Sequence, residues 1–95
     1  MSDNIEITNQ EAHHRYVITI GGEDAGFANY VDVDDSRREF NHTVVYPEFR
    51  GQGVSGKLIE HALNDAREMH KKVIPSCSAV DGFITKHPEY EDLRA

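Results

Sequence analysis

At residue 50 the hydrophobic pattern of this chain changes period, and that switch limits the folds open to it. Ahead of it apolar residues alternate; behind it they recur every three or four positions. A period of two belongs to a strand lying on a core, and a period near 3.6 to a helix with one buried face. Ile5 and Ile7 mark a short first strand. Residues 15–20 (RYVITI) set Tyr16, Ile18 and Ile20 against Arg15, Val17 and Thr19, with many β-branched side chains. Gly21, Gly22, Glu23 and Asp24 form a turn cluster. Residues 25–33 are a third strand with Phe27, Asn29, Val31 and Val33 on one face, ended by Asp34, Asp35 and Ser36. Residues 38–46 are a fourth, with Phe40, His42, Val44 and Tyr46 on one face and Glu39, Asn41, Thr43 and Val45 on the other. The short turns predict an antiparallel meander.

After the switch, Val54, Leu58, Ile59, Ala62, Leu63, Ala66 and Met69 form an apolar stripe, with Lys57, Glu60, His61, Asn64, Asp65, Arg67 and Glu68 toward water. This helix is expected to start at the glycine-rich loop and run to about His70. Residues 72–76 read as a fifth strand, with Pro75 on an edge or where pairing stops. Residues 79–86 read as a second helix. His87 precedes a proline and leaves the helix, and Pro88 opens a final turn through Tyr90 and Leu93. A strand that follows a crossover helix runs parallel to its neighbour. The fold class is therefore α+β: a mixed sheet, an antiparallel meander plus one parallel strand, covered by helices.

Ninety-five residues predict a single domain, residues 1–95, with one modest core. A formal charge of -7 argues against nucleic-acid partners and leans toward a cationic substrate such as an amine. Cys77 is the only cysteine, which excludes an internal disulfide and favours a reducing compartment. No basic-then-apolar leader is visible, and no apolar run reaches the ~20 residues of a membrane span. These features point to a soluble, cytoplasmic chain without a membrane partner.

Residues 50–58 (RGQGVSGKL) satisfy three nucleotide-binding patterns at once. Gly51, Gly53 and Gly56 fit G-x-G-x-x-G, but a dinucleotide fold needs an acid about 20 residues on and further βαβ units. Here Pro75, Ser76 and Cys77 stand at that distance. Gly51, Gly56 and Lys57 fit a P-loop up to its last residue. That residue must be Ser or Thr to bind magnesium, and Leu58 stands there as part of the buried stripe. The third pattern is a coenzyme A pyrophosphate cradle: glycines let the backbone approach closely, free N–H groups of the first helical turn point at the anion, and Arg50 adds charge. A tight strand-to-helix turn without a ligand is the other reading of the same residues.

RGQGVSGKLIEHALNDAR resembles the acyl-CoA-binding pattern of GNAT-type N-acetyltransferases, with Ser55 where Gly or Ala is common. FNHTVVYPEFRGQG, VIPSCSAV and KHPEYEDL are similar to a subfamily of minimal, GNAT-like proteins of about this length, which lack the terminal strands of full-size members. The similarity runs from about residue 25 to residue 93. It implies a sheet whose fourth and fifth strands splay apart, with the pantetheine of acetyl-CoA or coenzyme A in the gap on the backbone of Val44, Val45 and Tyr46. It implies a pyrophosphate on Gln52, Gly53, Val54, Ser55, Gly56 and Lys57, beside Arg50 and Gly51, and a thioester near His42 and Cys77.

The implied reaction is transfer of an acetyl group from acetyl-CoA to an amine, either a small molecule or a protein lysine. The amine must lose a proton, and an imidazole suits that at neutral pH; His42 is the candidate base. Cys77 ends the fifth strand just before a helix, where a thiol is more easily ionised. It could accept the acetyl group or protonate the departing thiolate. A half-buried histidine and a small buried cysteine are the plain structural readings of both. His13 and His14 fall on a turn, His61 and His70 share no face, and His87 reads as a cap near the cofactor; no cluster resembles a metal site. Tyr46 and Tyr90 read as packing residues. The alternative function is a non-catalytic acyl-CoA-binding or sensing module.

Overall fold

In a computed structural model that describes residues 4–95, the alternating half folds as four strands. They are β1 (Ile5–Gln10), β2 (Arg15–Ile20), β3 (Glu23–Asp34) and β4 (Arg37–Val45). Helix α1 (Val54–Glu68), β5 (Lys72–Pro75), helix α2 (Ser78–Lys86) and a 3-10 turn (Pro88–Leu93) follow. The sheet order is β1-β2-β3-β4-β5, antiparallel throughout except for the parallel pair β4 and β5. The mixed α+β sheet is thus as expected from the two periods. Gly21 and Gly22, with φ of 59° and 85°, make the tight β2–β3 turn, where the strand twist favours left-handed residues. Asp34 accepts from the Ser36 backbone N–H to close the β3–β4 turn.

Both helices pack on one face of the sheet. The α1 stripe is buried at Val54, Leu58, Ile59, Ala62, Leu63 and Ala66 and meets Tyr16, Ile18, Ala28 and Tyr30 from β2 and β3 in one core. Each fully buried Leu or Ile contributes about 1.5–3 kcal/mol. Met69 departs from the expected stripe and is 40% exposed, because α1 ends one residue earlier. There His70 takes a left-handed φ of 58°, and the Lys71 and His70 N–H groups reach the carbonyls of Ala66 and Arg67. That pair of bonds closes the helix C-terminus in a Schellman turn.

The strand faces hold one correction. Tyr30 pairs with Phe40 but Asn29 pairs with His42, so Asn41 is an extra residue, a β-bulge. A bulge shifts the alternation by one. Phe40 therefore faces the helices together with Thr43 and Val45, which pair with the buried Ala28 and Gly26. His42 and Val44, expected beside Phe40, face the opposite, open side of the sheet with Asn29 and Phe27. Arg38, two residues before Phe40 in unbroken register, shares the helix side, where it is 1% exposed. Its guanidinium binds Asp32 at 2.7 and 3.1 Å and the Tyr16 hydroxyl at 2.7 Å. Tyr16 in turn donates to Asp65, so Asp65 serves this buried network rather than facing water freely.

Candidate functional site

The parallel ladder is short. Arg37–Phe40 pair with Lys72–Pro75, and one further bond runs from the Cys77 N–H to the Phe40 carbonyl at 2.9 Å. Pro75 has no N–H to continue it, and the chain turns into α2. From Asn41 to Val45, β4 continues on β3 alone. The strands part where Cys77 sits, as the N-cap of α2.

The Cys77 sulfur lies 3.4 Å from the Thr43 hydroxyl. Burial pushes the thiol up, but the Thr43 hydroxyl and the backbone N–H groups of Val80, Ala79 and Thr43 outweigh it, and the net shift is below an ordinary thiol. Those N–H groups close no capping bond, yet their dipoles favour the thiolate. Ser76, the residue before, donates to Glu39. His42 is exposed, 6.2 Å from the Phe27 ring between centroids, and across β4 from Thr43. The structure thus brings Cys77 to Thr43 and not to His42.

The glycine loop behaves as a cradle. Gly51 and Gly53 hold φ of 84° and 72°, which side chains tolerate poorly, and nothing lies within 4 Å of where a Cβ would stand. Gly53 is the N-cap of α1 and no side chain caps the helix. The first intrahelical bond is from the Lys57 N–H to the Gly53 carbonyl at 3.2 Å, so the N–H groups of Val54, Ser55 and Gly56 have no acceptor within the helix. Arg50 folds back, its Nε 3.3 Å from the Val45 carbonyl. The Tyr46 N–H is engaged by the Ala25 carbonyl at 2.9 Å, and by alternation Val44, opposite Phe27, also turns its backbone to β3; of the three residues expected on the gap, Val45 alone faces it.

A cleft of about 790 Å³ opens at this cradle. Gln52, Gly53, Ser55, Gly56 and Lys57 form one wall, whereas Val54 is buried and does not line it. The other wall comes from α2: Ser78, Ala79, Gly82, Phe83, Lys86 and His87. The sequence reading missed most of this wall, although Ala79, Gly82, Phe83 and Lys86 recur at the spacing of one helix face. His87 caps α2, its Nδ1 2.9 Å from the Phe83 carbonyl, and stacks on the Phe83 ring at 4.0 Å. Ser78 and Ala79 follow directly on Cys77, so this wall begins next to the residue at which β4 and β5 part.

A profile of the GCN5-related N-acetyl-transferase family matches residues 15–93. The chain belongs to this family. Among GCN5-related relatives, an uncharacterized N-acetyltransferase of Archaeoglobus fulgidus is 38% identical over 63 residues, covering 60% of this chain and 43% of that protein. This chain therefore spans less than half of that relative. The solution structure of a GCN5-like protein from Staphylococcus aureus, described as a candidate N-acetyltransferase, superimposes with a TM-score of 0.74 at 31% identity, over 97% of this chain and 89% of that one. The crystal structure of Ard1 from Thermoplasma volcanium shares the fold, with a TM-score of 0.62 at 21% identity, over 86% of this chain and 57% of that one. Among the described residues no helix is long and apolar enough to cross a membrane.

Proposed function

We propose that this GCN5-related chain is an acetyl-CoA-dependent N-acetyltransferase for an amine acceptor, a small molecule or a protein lysine. One observation carries the reading: the uncapped N-terminus of α1 opens into a cleft whose opposite wall begins at Ser78, the residue after Cys77. The residues fit coenzyme A, because the positions beside Gly51 and Gly53 are open and the N–H groups of Val54, Ser55 and Gly56 are available to a pyrophosphate. Val45 offers strand backbone to a pantetheine, whereas Val44 is turned to β3. Acetyl-CoA supplies an acyl thioester already activated for transfer.

Within the chain, Cys77 is the group able to take the acyl carbon as a thiolate or to return a proton to a leaving thiolate. His42 stands on the open face of β4 and serves an amine that approaches from that side, accepting its proton. Placement of Cys77 and His42 on opposite faces is the one observation that favours the second reading, an acyl-CoA-binding module without turnover.

Native mass spectrometry of the purified chain tests binding, with retained or added coenzyme A as the readout. No complex with acetyl-CoA at high micromolar concentration sinks both readings. If the complex forms, an acetyl mass on Cys77 after incubation assigns the thiol as acceptor. Thiol release with a panel of amines then compares wild type with Cys77→Ala and His42→Ala. Loss of turnover in either variant supports the enzyme; binding without turnover on any amine supports the module.

A further inference from the structure

The bulge at Asn41 decides which β4 side chain meets Cys77. With unbroken alternation from Phe40, His42 would face the helices and Thr43 the open side. The extra residue reverses this, and Thr43, opposite the buried Ala28, comes within 3.4 Å of the Cys77 sulfur. Bulges commonly re-aim a side chain beside a functional site. We propose that Thr43 is a positioning residue for Cys77, its hydroxyl donating to the sulfur and holding it as a reactive thiolate where β4 and β5 part. The inference rests on the reading of Cys77 as the acyl-transfer thiol.

A half-buried thiolate needs donors, and the charged groups near it supply none. On β4, Glu39 has the wrong sign and is held by Ser76, and His42 faces the other side of the sheet. On α2, Asp81 is paired with Arg94 at 2.6 Å. On α1, Lys57 and Glu60 line the cleft beyond and neither makes a side-chain bond to the sulfur. Thr43 is the side chain that does. The remaining support is the Thr43 backbone N–H and the N–H groups at the start of α2, which no substitution removes. Thr43 is thus the one side-chain contribution open to test, and its loss shifts the thiol upward without discharging it wholly.

Because Cys77 is the only cysteine, alkylation by iodoacetamide, followed by intact mass, reads one site. The rate is measured from about pH 5 to about pH 10, which spans the range of protein thiols. Thr43→Val is expected to raise the midpoint by about one pH unit, as loss of a hydrogen bond to a charged group implies. Thr43→Ser keeps the hydroxyl and is expected to return the midpoint toward wild type, which a purely structural role of the methyl group would not do. Circular dichroism checks folding; if the valine variant does not fold, Thr43→Ala carries the same expectation. A titration of the Val or Ala variant that superimposes on wild type overturns the proposal, as does a serine variant that titrates with the valine one. Alkylation needs no acyl-CoA, so a flat result rejects Thr43 while leaving acyl transfer standing. Absence of acetyl-CoA binding rejects the enzyme reading while leaving the titration intact.

Discussion

Asp32→Asn strands a buried cation. Arg38 is 1% exposed, sits 4.0 Å over the Tyr30 ring and makes two bonds to the Asp32 carboxylate. Removing one partner of a buried ion pair costs about 3–5 kcal/mol, because the other charge keeps its desolvation penalty. Two features lower that figure here. The Asp32 side chain is 39% exposed, so water already screens part of the attraction, and Asp65 remains 3.8 Å from Arg38. The expected loss is about 2–3 kcal/mol. For a chain of this size each kcal/mol moves the melting temperature by about 4–8 °C, so the variant should melt roughly 10–20 °C lower. Adding Arg38→Met removes the stranded charge and should recover at least about half of the loss.

Thermal and urea unfolding followed by circular dichroism measure both variants. A single variant within about 2 °C of wild type, or a double variant no more stable than the single, refutes the account. The pH dependence has a definite sign. The Arg38 hydrogen bond, foremost, holds the Asp32 carboxyl below the usual range despite partial burial. A carboxyl depressed in the folded state stabilises fully above its unfolded value, near pH 4, and loses that contribution as pH falls through the folded value. The gap between wild type and Asp32→Asn should therefore narrow with acid.

Three further outcomes are expected. Gly26→Ala places a Cβ 2.4 Å from the Val44 carbonyl oxygen and 3.2 Å from the Val45 Cα; backbone cannot rotate away, and urea unfolding should show a loss of about 1–3 kcal/mol. His70→Gly relieves a side chain held at a φ of 58° in the Schellman turn and should gain about 1 kcal/mol by the same measurement. Lys57 and Lys86 are the two lysine or arginine side chains that have no ion pair or hydrogen bond among the described residues, and both line the cleft. Replacing both with alanine should weaken coenzyme A binding about tenfold by calorimetry at low salt and less at high salt; an effect independent of salt would rule out charge attraction.

The amphipathic stripe of α1, the glycine turn before it and the strand after it were legible because each depends on local spacing. Val54 to Ala66 bury as their period requires, and Gly51 and Gly53 stand where a left-handed backbone opens the helix. Elimination of the P-loop also needed nothing beyond Leu58, which is fully buried. The α2 wall of the cleft was half legible: its Ala79, Gly82, Phe83 and Lys86 stripe is in the sequence, but nothing local says that this face looks across at α1.

The bulge at Asn41 and the burial of Arg38 lie outside what spacing can tell. A strand of alternating residues reads the same with or without one extra residue, because only its pairing with β3 reveals the slip. That slip moves His42 to the open face and Thr43 to Cys77. Arg38 is buried because Tyr16 and Asp65, distant in the chain, and Asp32 across the β3–β4 turn converge on it. Local patterns thus dictated which elements form and where a helix N-terminus is left uncapped. Strand pairing decided which side chains meet at the thiol, since long-range register is set by contacts that no single segment contains.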